Sequence, residues 1–143
     1  MARSRAADAV VGWDDSALQV PSDPPRRARY RALQSWYRET VLGVGPGRHR
    51  SGRLVGSLLP KERELDGLNF LDQQIAGCVE RRARAVQRAG GTLDLDRLRR
   101  NLLSSMPLCF NLFGKFRVKR PAAARVLGAM LDLDIATIDE VLI

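Results

Sequence analysis

From Arg26 to Leu42 the large apolar residues Tyr30, Leu33, Tyr37 and Val41 recur three or four positions apart, with Trp36 beside them. That spacing predicts one helix with a packing face, and Arg27, Arg31 and Arg38 fall in other directions, where they would make a positive face. Gly43-Val44-Gly45-Pro46-Gly47 stops it. A second helical run extends from Leu68 or Asn69 to about Ala89, with Leu71, Ile75, Cys78, Val79 and Val86 on its apolar side and Gly90-Gly91 at its end. Its later turns carry Arg81, Arg82, Arg84 and Arg88, which suit the negative end of a helix dipole as well as a nucleic-acid surface. Thr92 or Asp94 can cap a third helix through Leu95, Leu98, Leu102 and Leu103.

The block from Asn101 to Gly114 breaks this amphipathic rhythm. Leu102, Leu103, Leu108, Phe110, Leu112 and Phe113 could fill a core unaided, yet Asn101, Ser104, Ser105 and Asn111 are interleaved with them. A buried amide or hydroxyl costs roughly 1–3 kcal/mol unless it is hydrogen-bonded, so the block predicts a defined polar network within a core. Pro107 splits it into two helical pieces, the second ending at Gly114. Pro121 then fits the start of a helix over Ala122–Leu131. Thr137–Ile143, with Ile138, Val141 and Ile143 β-branched, reads as a strand. The expected fold is therefore mainly α, with four to five helices and a C-terminal β-strand. The expected organisation is a leader over residues 1–25, with Val10, Val11 and Trp13 docking locally, a helical domain over 26–136 and the strand over 137–143.

Three blocks in order carry a resemblance: Gln34-Ser35-Trp36-Tyr37-Arg38-Glu39, Gly67-Leu68-Asn69-Phe70-Leu71, and the run from Asn101 to Gly114. Together they resemble the N-terminal half of a bacterial family of restriction endonucleases within the PD-(D/E)XK nuclease superfamily. The third block is the specific one. Met106 departs from the family's pattern, where glutamine is favoured, and removes one polar group from the expected network. The resemblance implies that the terminal strand would begin an α/β nuclease core, and that a full-length member would use Mg²⁺ on DNA.

Charge sharpens the expected partner. The formal net charge is +8 and the isoelectric point about 10.7. Arg26 to Glu64 holds ten basic residues against three acidic ones, whereas Met1 to Pro25 holds two against four. A polyanion suits such a patch, because phosphates neutralised by arginine release counterions. The candidate phosphate-backbone contacts are Arg26, Arg27, Arg31, Arg48, Arg50 and Arg53, the last three in an exposed loop after the first helix. The glycines of that loop do not make a nucleotide-binding loop, since Gly-x-x-x-x-Gly-Lys-Ser/Thr is absent. Cys78 and Cys109, with His49 the sole histidine, do not make a zinc site. Both cysteines sit in apolar contexts and read as reduced and buried, which fits a cytoplasmic protein; neither a signal peptide nor a transmembrane helix can be drawn, so no membrane partner is expected.

Cleavage by this superfamily requires an Asp and a later Asp/Glu-x-Lys, whose carboxylates hold a divalent cation while the lysine positions water. The three lysines fail the test: two residues before Lys61, Lys115 and Lys119 stand Leu59, Phe113 and Arg117. Asp72-Gln73-Gln74 is a poor substitute inside an expected helix. Asp132, Asp134, Asp139 and Glu140 read as a helix stop and a strand edge. No catalytic residue, metal ligand or cofactor is therefore assigned to this chain. The reading is a truncated nuclease-like protein, catalytically inactive by itself, with DNA as its partner. Two others stay open: a small stand-alone basic nucleic-acid-binding protein, and an interaction module whose terminal strand augments a partner's sheet.

Overall fold

The computed structural model describes residues 18–141. Val10, Val11 and Trp13, and the last two positions of the expected strand, lie outside them. Among the described residues there are five α-helices: α1 (Pro25–Trp36), α2 (Gln73–Arg88), α3 (Leu95–Arg100), α4 (Ser105–Val118) and α5 (Arg120–Leu131). A two-stranded antiparallel hairpin, β1 (Gly47–Arg48) and β2 (Leu54–Val55), completes the regular structure with short turns at Tyr37–Val41 and Lys61–Arg63. The fold is mainly α, as the periodicity implies.

The chain divides into two compact units, one of residues up to Asn69 together with Arg99–Ser104, the other of Phe70–Leu98 and Ser105 onward. In the first unit α1 turns inward a different face from the one expected. Tyr30, Leu33 and Val41 are exposed, while Ser35 and Arg38 are buried. The reason lies in the segment that α1 covers. Residues 43–59 contain only a two-residue ladder, so their carbonyls need donors from elsewhere. Arg38 supplies them, donating Nε to Gly56 O at 2.8 Å and Nη1 to Val44 O. A π-helical turn over Tyr37–Val41, closed by Leu42 N to Tyr37 O at 3.1 Å, continues α1 through this residue. Burial pulls the guanidinium below its usual pKa, partly offset by the Glu39 carboxylate 3.6 Å away.

The block beginning at Asn101 closes the same unit. Leu59 N donates to Arg100 O and Leu102 N to Ser57 O, so residues 100–102 run as an added strand-like edge beside 57–59. Asn101 caps its own turn, its Oδ1 accepting Leu103 N at 3.0 Å, and its carbonyl accepts Asn69 Nδ2 at 3.3 Å. Of the expected polar residues here, Asn101 is hydrogen-bonded and Ser104 is buried, whereas Ser105 is exposed; Asn69, outside the expected set, joins them.

In the second unit α2 packs on α4 and α4 on α5. Ile75, Val79, Leu98 and Phe110 form the core, with Phe70, Leu93, Leu95 and Met106 around them. The helix α2 starts later than the pattern implies. Asp72 caps it, Oδ1 accepting Ile75 N at 3.0 Å, so Asp72 lies at the helix boundary and Leu71 is exposed. Pro107 causes no kink because it stands in the first turn of α4, where backbone N–H groups lack helical partners anyway. Gly114 does not end α4. A Cβ there would lie 3.2 Å from Ile75 Cγ1 and Cγ2, so this glycine permits close approach of α2. Leu108, Leu112 and Phe113, expected in the core, are exposed, and so is Cys109, while Cys78 is buried. Residues 137–141 form no strand; instead Arg120 Nη1 donates to Asp139 O at 2.6 Å. An isolated strand has no partner to satisfy its backbone, so β-branching alone does not produce one.

Candidate nucleic-acid interface

Five of the six arginines predicted to meet phosphate are exposed, on α1 and the hairpin of the first unit. The hairpin is built on Gly47. Its N–H donates to Leu58 O at 2.8 Å, and a Cβ would lie 2.7 Å from the Leu59 carbonyl carbon and nearer still to its oxygen. Only glycine lets β1 approach so closely. Register pairs Gly47 with Val55 and Arg48 with Leu54. His49 N donates to Arg53 O at 2.8 Å and Gly52 N to His49 O at 2.9 Å, with Gly52 at φ 82° turning the chain. The expected loop is thus a tight, hydrogen-bonded turn.

Within this turn His49 is a structural acceptor, Nδ1 receiving Ser51 N at 3.3 Å. Arg48 folds back, donating Nη1 to Gly52 O at 2.8 Å. Arg50 and Arg53 extend from the turn with no ion pair among the described residues. Beneath the hairpin, buried Arg100 donates Nε to Leu59 O at 2.9 Å and Nη2 to Arg48 O at 3.2 Å. Sequence reasoning missed Arg100. Its position directly before the Asn101 block was the sole signal, and charge patterning classes it with surface arginines.

On α1 the candidates divide. Arg26 stacks on Tyr30, its guanidinium carbon 5.7 Å from the ring centroid. Arg27 is two-thirds exposed, 3.9 Å from Asp23. Arg31 is different: its side chain is 11% exposed, Nε donates to Asp23 Oδ2 at 2.6 Å, and Nη1 donates to Ser57 Oγ. With the carboxylate and hydroxyl already occupying its fork, Arg31 is a structural tie and leaves the phosphate-contact set.

The acidic candidates do not assemble a cleavage centre. Asp72 holds the α2 N-terminus and ion-pairs with Lys115; that hydrogen bond, then the Ile75 amide, keeps its carboxyl below the usual carboxylate range. Nearby, Asn111 Oδ1 accepts Leu71 N at 2.9 Å. Among the described residues no three His, Cys, Asp or Glu side chains converge so as to hold a metal ion. No helix of the described residues is long and apolar enough to cross a membrane.

The described residues thus form a mainly helical scaffold with exposed arginines on a constrained hairpin. Residues 21–143 match the family model of the PD-(D/E)XK nuclease superfamily, and the chain belongs to that superfamily. No curated protein and no solved structure matches it. Superfamily membership supports a nuclease-like function.

Proposed function

We propose that this chain is a helical, DNA-contacting portion of a restriction-type endonuclease and that its 143 residues carry no cleavage centre of their own. Arg26, Arg27, Arg48, Arg50 and Arg53 meet the phosphate backbone. The observation that carries the reading is the hairpin, where Gly47 and buried Arg100 hold a short turn from which Arg50 and Arg53 project without acidic partners among the described residues. A backbone already held in place beneath the guanidinium groups lowers the entropy lost on binding. The absence of Asp/Glu-x-Lys before all three lysines supports the second half of the proposal.

Fluorescence anisotropy with a labelled DNA duplex tests the first half. Binding should weaken steeply with salt, and Arg50→Gln/Arg53→Gln should reduce the slope of log K against log salt by about 1.8, at about 0.9 per phosphate contact. No binding at 50 mM salt would overturn DNA contact. For the second half, the purified chain is incubated with DNA and Mg²⁺. Cleavage that co-purifies with the chain and disappears in Asp72→Asn would overturn the inactive reading.

A further inference from the structure

The second unit carries a separate basic surface. On α2, Arg81, Arg82, Arg84 and Arg88 are all exposed, and Glu80 is the only acid within the helix. At about 100° per residue, Arg81, Arg84 and Arg88 fall within about 60° of one another around the axis. Buried Ile75, Val79 and Ala83 lie on the opposite side, so the three arginines form a solvent-facing stripe.

Neither helix stability nor ion pairing accounts for this stripe. Dipole stabilisation fades beyond the terminal turn, and only Arg88 stands in the last turn of α2. Arg82, Arg84 and Arg88 have no carboxylate partner among the described residues. Arg81 rests over Gly77, with Nη1 3.4 Å from where a Cβ would stand, and donates Nη2 to Cys78 Sγ at 3.0 Å. That contact orients the guanidinium without neutralising it. From Arg81 to Arg88 the seven steps of 1.5 Å span about 10 Å of helix axis. This is about three steps of 3.4 Å, the axial spacing of phosphates along one strand of a duplex.

We infer that the exposed face of α2 is a second DNA-backbone surface, with Arg81, Arg84 and Arg88 meeting three phosphates within a run of four along one strand. The inference rests on the DNA-contact reading above but uses different residues in a different unit. Arginine suits the task because its planar fork pairs bidentately with phosphate oxygens and stays charged. An anionic membrane would share the charge attraction; membership in a nuclease superfamily favours DNA.

The test compares the full chain, Arg81→Gln/Arg84→Gln/Arg88→Gln and Arg50→Gln/Arg53→Gln on one labelled 20-base-pair duplex across a salt series. Losing three phosphate contacts should lower the salt slope by about 2.7 at about 0.9 each. A fourfold rise in salt would then cost the triple variant about 40-fold less affinity than it costs the unaltered chain. The single variant Arg84→Gln should lose about 0.9 of slope and serves if the triple variant fails to keep the helical circular-dichroism spectrum. A normal slope in both helix variants, with a reduced slope in the hairpin variant, would overturn this inference and leave the DNA reading intact. No DNA binding by the unaltered chain would overturn both. Unchanged DNA affinity combined with lost binding to vesicles containing phosphatidylserine would overturn the DNA surface in favour of a membrane one.

Discussion

Gly47→Ala puts a methyl group where the Leu59 carbonyl already stands. The obstructing atoms are backbone, with the carbonyl carbon 2.7 Å from the new Cβ, so no side-chain rotation relieves the clash. Overpacking of this kind costs about 1–3 kcal/mol. Separation of β1 from residues 58–59 would also weaken Gly47 N to Leu58 O and Arg100 Nε to Leu59 O, each worth about 1 kcal/mol. The total, about 3–5 kcal/mol, is a large part of the 5–15 kcal/mol typical of a domain. In urea, with a slope near 1.5 kcal/mol per M, the midpoint should fall by about 2–3 M. Circular dichroism and tryptophan fluorescence would report the transition, and DNA anisotropy at low salt should weaken with loss of the hairpin. Gly45→Ala is the control. No heavy atom lies within 4 Å of its added Cβ, and its φ is outside the left-handed region. That variant should match the unaltered chain or gain about 0.4–1 kcal/mol through reduced unfolded-state entropy. A Gly47→Ala midpoint equal to that of Gly45→Ala would refute the close approach of β1 to Leu59.

The divided roles of the basic residues give a second contrast: Arg31→Gln should lower the melting temperature, because it breaks the ties to Asp23 and Ser57, while leaving the DNA salt slope within error. For Asp72, whose folded pKa is depressed, stabilisation is present above the unfolded value near 3.9 and is lost as pH falls through the lower folded value. Asp72→Asn should therefore flatten the loss of thermal stability below about pH 4, and an unchanged acid profile would contradict the Lys115 pairing. In the second unit Ile75→Ala should cost about 2–5 kcal/mol in denaturant titration. Leu112→Gln, at a position more than half exposed, should stay within about 0.5 kcal/mol of the unaltered chain.

Much of the helical framework was legible because it depends on local rules. Pro25 opens α1, Gly90 at φ 74° follows α2, Asp94 accepts Arg97 N at the start of α3, and Pro121 stands in the first turn of α5. Each reflects a preference expressed within a few residues. Which face of a helix is buried was less legible. Periodicity located Ile75 and Val79 correctly but put Arg38 outside, and apolar content put Leu108, Leu112 and Phe113 inside, where they are not. Apolar residues surround α4 on every side, so periodicity offers no direction for its packing.

The candidate interface shows the same division. Its exposed arginines were identified by charge clustering, whereas the exclusion of Arg31 required knowing that Asp23 and Ser57 meet it from other parts of the chain. The Asn101 block was recognisable as a polar feature, yet its role as an edge beside residues 57–59 required the fold.

From its sequence alone this protein has a helical plan, an arginine excess, three lysines in contexts that lack Asp/Glu-x-Lys, and the residue blocks that announce its superfamily. Tertiary structure alone decided that Arg38 and Arg100 turn inward. An irregular segment without an extended ladder leaves buried carbonyls, and their hydrogen-bonding demand outweighs the ordinary preference of a guanidinium for water.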